Sequence, residues 1–177
     1  MQVMSITTID PDRLWIGRDY ATHRIFILGE SYTGTYEGEM EYDDEYMAAL
    51  LAGKPVLGPA LFIKMAEKLD MSLQDLWHKV AFTNMSLGSI GATNAINVRA
   101  CQLNAGRPRL KSLLQRHEPK GVLILGAKTN MAAAPVCREL GIEHRTVYHP
   151  SGVNNANPRT ACTKEMLQAA WRGLSPH

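Results

Sequence analysis

A chain of 177 residues with 45% hydrophobic content can bury a full core and is read as one domain, 1–177. Its apolar runs fall well short of the ~18 residues of a membrane-spanning helix. Three scattered cysteines, Cys101, Cys137 and Cys162, match neither a disulfide framework nor a metal-cluster spacing. The net charge of +2 selects no partner by itself.

Residues 1–23 read as an irregular or partly helical lead-in, broken by Pro11, Gly17 and Asp19. The segment Met1–Asp12 carries two acids and no basic start before an apolar stretch, so it is not read as a signal peptide. Arg24–Leu28 is a short apolar strand stopped by Gly29. The acidic, Gly-rich stretch from Gly29 to Tyr42 is expected as a loop. Asp43, Asp44 and Glu45 start a helix to Leu51, with acids at its positive end.

Pro59 opens a helix carrying Leu61, Ile63, Met65, Ala66 and Leu69. Ser72 and Asp75 predict a capping box for a short helix through Trp77. Lys79–Asn84 is the second strand, followed by a long Gly/Ser/Asn loop from Met85 to Gly106. Arg107-Pro108-Arg109 opens a helix through His117, which Pro119 stops. Gly121–Gly126 is the clearest strand. Ala127–Leu140 is helical, with Gly141 past its end. Arg145–Tyr148 is the last strand, Ser151–Pro158 a loop, and Arg159–Leu174 a closing helix. Strands alternating with helices predict an α/β class: three layers, α/β/α, around a central four-stranded, mostly parallel sheet.

Parallel strands put their carboxyl ends on one edge, where open α/β sheets bind ligands. Three ends carry chemistry: Gly29-Glu30-Ser31-Tyr32, Thr83-Asn84-Met85-Ser86 and His149-Pro150-Ser151-Gly152. An Asn amide donates and accepts together, which suits the edge of a pyrimidine-like ring. A His can donate to a carbonyl oxygen and stabilise charge developing there. Ser and Gly suit close approach to phosphates. All three ends are expected to face one cleft.

The order of these motifs resembles the uracil-DNA glycosylase superfamily. Its members carry a Gly-x-x-x motif after the first strand, an Asn closing a central strand and a His-Pro-Ser motif after the last. Here these are Gly29-Glu30-Ser31-Tyr32, Asn84 and His149-Pro150-Ser151, and Leu123-Ile124-Leu125-Gly126-Ala127-Lys128 is similar to the family's penultimate strand. The resemblance covers about residues 24–172. It implies a four-stranded parallel α/β/α fold that flips a base from DNA and hydrolyses its glycosidic bond, without metal or other cofactor. Asn84 would contact the Watson–Crick edge of the base. His149 would stabilise the leaving anion. Gly29, Glu30 and Ser31 would lie beneath base and sugar. Ser31, Ser86 and Ser151 would hold phosphates, and Gly152 begins the segment where relatives insert a wedge. Phe82 or Tyr32 would stack on the base.

Two positions depart from the family pattern. Ser31 stands where the best-known members place the Asp or Asn that positions water, and Tyr32 replaces a Pro. Glu30 is therefore the preferred general base or oxocarbenium stabiliser, with Glu37 second. Some relatives hold an iron–sulfur cluster on four Cys, which three scattered Cys do not provide.

The partner expected is DNA. From Arg99 onward the chain carries twelve Lys/Arg against four acids, a net +8, while the first 98 residues carry seven against thirteen, a net −6. A basic half suits a polyanion. A monomer in the cytoplasm is expected, since the cysteine usage suits a reducing compartment. Two rivals stay open: a glycosylase-fold module that binds DNA or a nucleobase without hydrolysis, and an enzyme acting on a free nucleoside or nucleotide.

Overall fold

The computed structural model describes residues 14–33, 44–56, 60–90, 100–150 and 161–174, with positions 31–33, 44–45 and 87–90 described by backbone alone. In chain order the elements are β1 (Trp15–Ile16), α1 (Tyr20–His23), β2 (Ile25–Thr33), α2 (Asp44–Leu51), α3 (Ala60–Lys68), α4 (Leu73–Trp77), β3 (Val80–Ile90), α5 (Ala100–Ala105), α6 (Arg107–His117), β4 (Gly121–Leu125), α7 (Ala127–Glu139), β5 (Glu143–Val147) and α8 (Lys164–Leu174). The strands form one five-stranded sheet in the order β1-β3-β2-β4-β5. The four strands read from sequence all pair in parallel, and β1 adds an antiparallel edge against β3.

The central strands open with apolar runs, Ile25–Leu28, Val80–Phe82 and Gly121–Leu125, because helices cover both faces. Along β2, Ile25 and Ile27 point into one core with Val80, Phe82, Leu123 and Leu125, beneath α2, α3, α4 and α8. Phe26 and Leu28 point into the other with Ala81, Met85, Val122 and Ile124, beneath α5, α6 and α7. Phe62, Trp77 and Phe82 meet edge to face in the first core, with ring centroids 4.7–5.6 Å apart. The edge strand β5 instead exposes Glu143, Arg145 and Thr146. Charge on an exposed edge discourages pairing with another chain.

Local signals fix several boundaries. Ser72 Oγ accepts from the Asp75 backbone N–H at 3.0 Å, capping α4 as its sequence predicts. Gly141 takes φ +67 just past α7, the left-handed turn that glycine permits.

Four expectations are corrected. The sheet has five strands rather than four, because Trp15-Ile16 in the lead-in pairs with Phe82-Ala81. β2 runs on to Thr33 and β3 to Ile90, through segments expected as loop, because the two strands pair with each other there. α5 lies within the stretch expected as loop from Met85 to Gly106. The closing helix starts at Lys164, and residues 161–163 before it are not helical. No helix among the described residues is long and apolar enough to cross a membrane.

Candidate active site

Since β2, β3, β4 and β5 run parallel, their carboxyl ends form one edge. The two inner strands carry glycine at that edge, Gly29 within β2 and level with the end of β4, and Gly126 directly after β4. The flanks carry Asn84 in β3 and His149, two residues past β5. At ~4.8 Å per strand, the flanks stand about 14 Å apart across the edge.

Gly29 and Asn84 are opposite each other in the β2–β3 register. Asn84 is only 3% exposed. A Cβ on Gly29 would overlap Asn84 Oδ1 and stand 3.2 Å from its Cγ and 3.5 Å from Phe82 Cε2. Glycine is therefore required here for space, so that the Asn84 amide can lie over the β2 backbone. Beneath it the Phe82 ring is 1% exposed and edge-on to Phe62 and Trp77. Phe82 thus lies as a floor beneath the amide.

From the opposite face, Arg109 of α6 grips the same strand end. Nη1 donates to the Asn84 carbonyl at 3.0 Å and Nη2 to Thr83 Oγ1 at 2.7 Å. A planar guanidinium satisfies two such acceptors at fixed spacing. A Cβ on Gly106, at the α5–α6 junction, would overlap the Met85 carbonyl, so this junction too closes directly on β3.

Glu30 follows Gly29 and so leaves the sheet by the other face, the side of Phe26 and Leu28. Glu30 and Asn84 thus flank β2 from opposite faces. Glu30 Oε2 lies 3.7 Å from where a Cβ on Gly126 would stand, and Thr129 Oγ1 lies 3.6 Å from the same point. Burial pushes the Glu30 carboxyl above the usual carboxylate range, and the nearby Lys128 ammonium partly opposes it. Glu30 Oε1 is buried without a hydrogen-bond partner among the described residues.

His149 is partly buried. That burial pushes its imidazole below the ordinary histidine range, which favours the neutral ring with one N–H to donate. The Gly126 N–H donates to the Val147 carbonyl at 2.7 Å, tying the end of β5 to the β4–α7 turn.

Ser31 and Ser86 face each other in the strand register, and after a register shift Tyr32 pairs with Ser89. The side chains of Ser31 and Tyr32 lie outside the described residues, as do Glu37, Ser151 and Gly152. Sequence reading assigned no role to Arg109, Gly126, Lys128 or Thr129. The signal for the last three was a Gly and a Thr directly past the clearest strand.

Neither a protein-family model nor a curated protein matches the chain. Among solved structures, it is similar to the solution NMR structure of a "putative Uracil DNA glycosylase" from Methanosarcina acetivorans. That likeness has a TM-score of 0.46 and 14% identity, and covers 91% of this chain and 94% of that one.

Proposed function

We propose that this protein is a DNA base-excision hydrolase of the uracil-DNA glycosylase type. As a single domain, it would cleave the N-glycosidic bond of a flipped uracil or another damaged or modified base. The observation that carries this reading is the seating of the Asn84 amide over Gly29, in two adjoining parallel strands at the level where β4 ends. An amide held there by its own backbone, with Arg109 behind it, is preorganised to read the donor and acceptor edge of a base.

The remaining roles follow from position. A nucleoside laid across the end of β2 would set its base on the Asn84 side and its sugar toward Glu30. Water attacks C1′ of the sugar, the C1′–N bond breaks, and the electron pair leaves with the base. A neutral His149 donates its N–H to the base carbonyl and spreads the developing charge. Glu30 takes the water's proton. Its burial makes it a stronger base than an exposed carboxylate. Extruding the base costs a few kcal/mol. Stacking on Tyr32 or Phe82, worth roughly 1–3 kcal/mol per base, would offset this, helped by phosphate contacts from Ser31, Ser86 and Ser151 and by a wedge beginning at Gly152. The basic half of the chain supplies the attraction for DNA.

A second reading has its own support. Glu30 and Asn84 leave opposite faces of the sheet, and Ser31 stands at the usual water-positioning place, which favours a module that binds a base without hydrolysis. One assay separates the two. The protein is incubated with oligonucleotides carrying uracil, hypoxanthine, xanthine or modified pyrimidines, and abasic sites are scored. Abasic product from one of them supports the hydrolase. Salt-dependent binding with no product from any supports the binding module.

A further inference from the structure

We propose that Thr129 is a positioning residue whose hydroxyl, together with Glu30 Oε1, holds the water that attacks the sugar. The proposal rests on the glycosylase reading above and assigns that site a residue outside its three motifs.

Two buried polar atoms lead to it. Glu30 Oε1 and Thr129 Oγ1 both lack a hydrogen-bond partner among the described residues, and Thr129 is 0% exposed. Buried polar groups are nearly always paired, so two such orphans mark places where something polar is bound. Gly126 explains why they share one space. A Cβ there would stand 3.6 Å from Thr129 Oγ1 and 3.7 Å from Glu30 Oε2. Glycine leaves that volume to the polar groups, and its φ of +101 is one that other residues rarely adopt. Thr129 is the third residue of α7, a helix of 13 residues, and the leading N–H groups of a helix lack intrahelical acceptors. A water held between Glu30 and Thr129 would meet a carboxylate and a hydroxyl, and a buried water needs two to four such partners.

In the reaction, the water oxygen bonds to C1′ as the C1′–N bond breaks and its electron pair leaves with the base. The water's proton passes to the Glu30 carboxylate. Thr129 gains and loses no proton. Its hydroxyl fixes the water so that a lone pair faces C1′. The burial that raises the Glu30 pKa strengthens the proton acceptor.

The test pairs kinetics with crystallography on the full chain. Thr129→Val keeps the shape and removes the hydroxyl. It is expected to lower kcat about 10- to 100-fold with KM unchanged, while Thr129→Ser restores most of it. Crystals of the wild type should show an ordered water within hydrogen-bond distance of both Oε1 and Oγ1, lost in Thr129→Val. Wild-type kcat in Thr129→Val, or no bridging water in wild-type crystals, overturns the role of Thr129 alone. A wild type that keeps the water yet releases no base overturns the glycosylase reading, and the catalytic role of Thr129 with it.

Discussion

The side-chain oxygen of Asn84 occupies the space that a β-carbon on Gly29 would need. The two strands meet there in register, so neither backbone can shift away without breaking the β2–β3 ladder. Gly29→Ala should therefore displace the Asn84 amide. Overpacking of this kind costs about 1–3 kcal/mol. Urea denaturation should show the loss, and base release should fall with it. A Gly29→Ala protein with wild-type stability and activity would mean that the amide does not depend on that space.

Arg109 holds the backbone that carries this amide, with one nitrogen on the Asn84 main-chain carbonyl and another on Thr83 Oγ1. Arg109→Lys keeps the charge but loses the planar fork. It should cost about 1–3 kcal/mol and lower kcat, since Asn84 would no longer be fixed. Chemical denaturation and single-turnover base release check both. Unchanged kcat would remove Arg109 from any positioning role.

The strands Ile25–Leu28 and Gly121–Leu125 were legible because a sheet covered on both faces needs unbroken apolar runs. β2 beyond Leu28 and β3 beyond Asn84 were not legible. Their residues there are Gly-Glu-Ser-Tyr-Thr and Met-Ser-Leu-Gly-Ser-Ile, mostly polar or Gly, and pairing with each other makes them strand, which one sequence does not display. β1 is two residues long and too short to show any period. The site was legible in its strand ends, but its sidedness was missed. The two-residue period of a strand puts neighbouring Gly29 and Glu30 on opposite faces. Arg109 and Thr129 act through packing of α6 and α7 against the sheet, a relation that residue type alone does not reveal.

Burial of Glu30 sets a pH dependence. Its folded-state pKa is raised, so between the ordinary value, about 4.3, and the raised one the folded chain binds more protons than the unfolded chain. Stability therefore falls as pH rises through that window. Glu30→Gln removes the titration. Its melting temperature should exceed the wild-type value by a margin that grows from acid toward neutral pH. Base release should drop about 10²–10⁴-fold, as for loss of a general base. A margin that does not change with pH would mean that Glu30 is solvated like a surface acid.

His149 titrates in the opposite sense. Burial lowers its folded-state pKa, so below the ordinary value of about 6.5 the unfolded chain takes up the proton first. Its contribution to stability falls as pH drops through that window. The neutral, donating ring should persist into mild acid, and base release should hold there rather than decline at the ordinary histidine pKa. His149→Ala should lose about 10²–10³-fold in kcat, with His149→Gln, which keeps an N–H donor, falling less. NMR titration of the imidazole alongside the pH–rate profile checks both. A ring that titrates at or above the ordinary value would refute the neutral donor.

Pro135 sits inside α7 and has no N–H for the Met131 carbonyl one turn earlier. Arg107 of α6 supplies the missing donor. Its Nη2 reaches the Met131 carbonyl at 3.2 Å and its Nε the Ala132 carbonyl at 2.9 Å. The Met131 side chain itself is 74% exposed and adds no packing that would substitute. Arg107→Ala should cost about 1–2 kcal/mol, discounted for partial exposure of the groups. Pro135→Ala restores a backbone N–H aimed at the same carbonyl, so Arg107→Ala should cost less in that background than in the wild type. A double-mutant cycle by urea denaturation reads the difference, with about 0.5 kcal/mol or more of coupling expected. Equal costs in the two backgrounds would show that Arg107 does not stand in for the proline's missing donor.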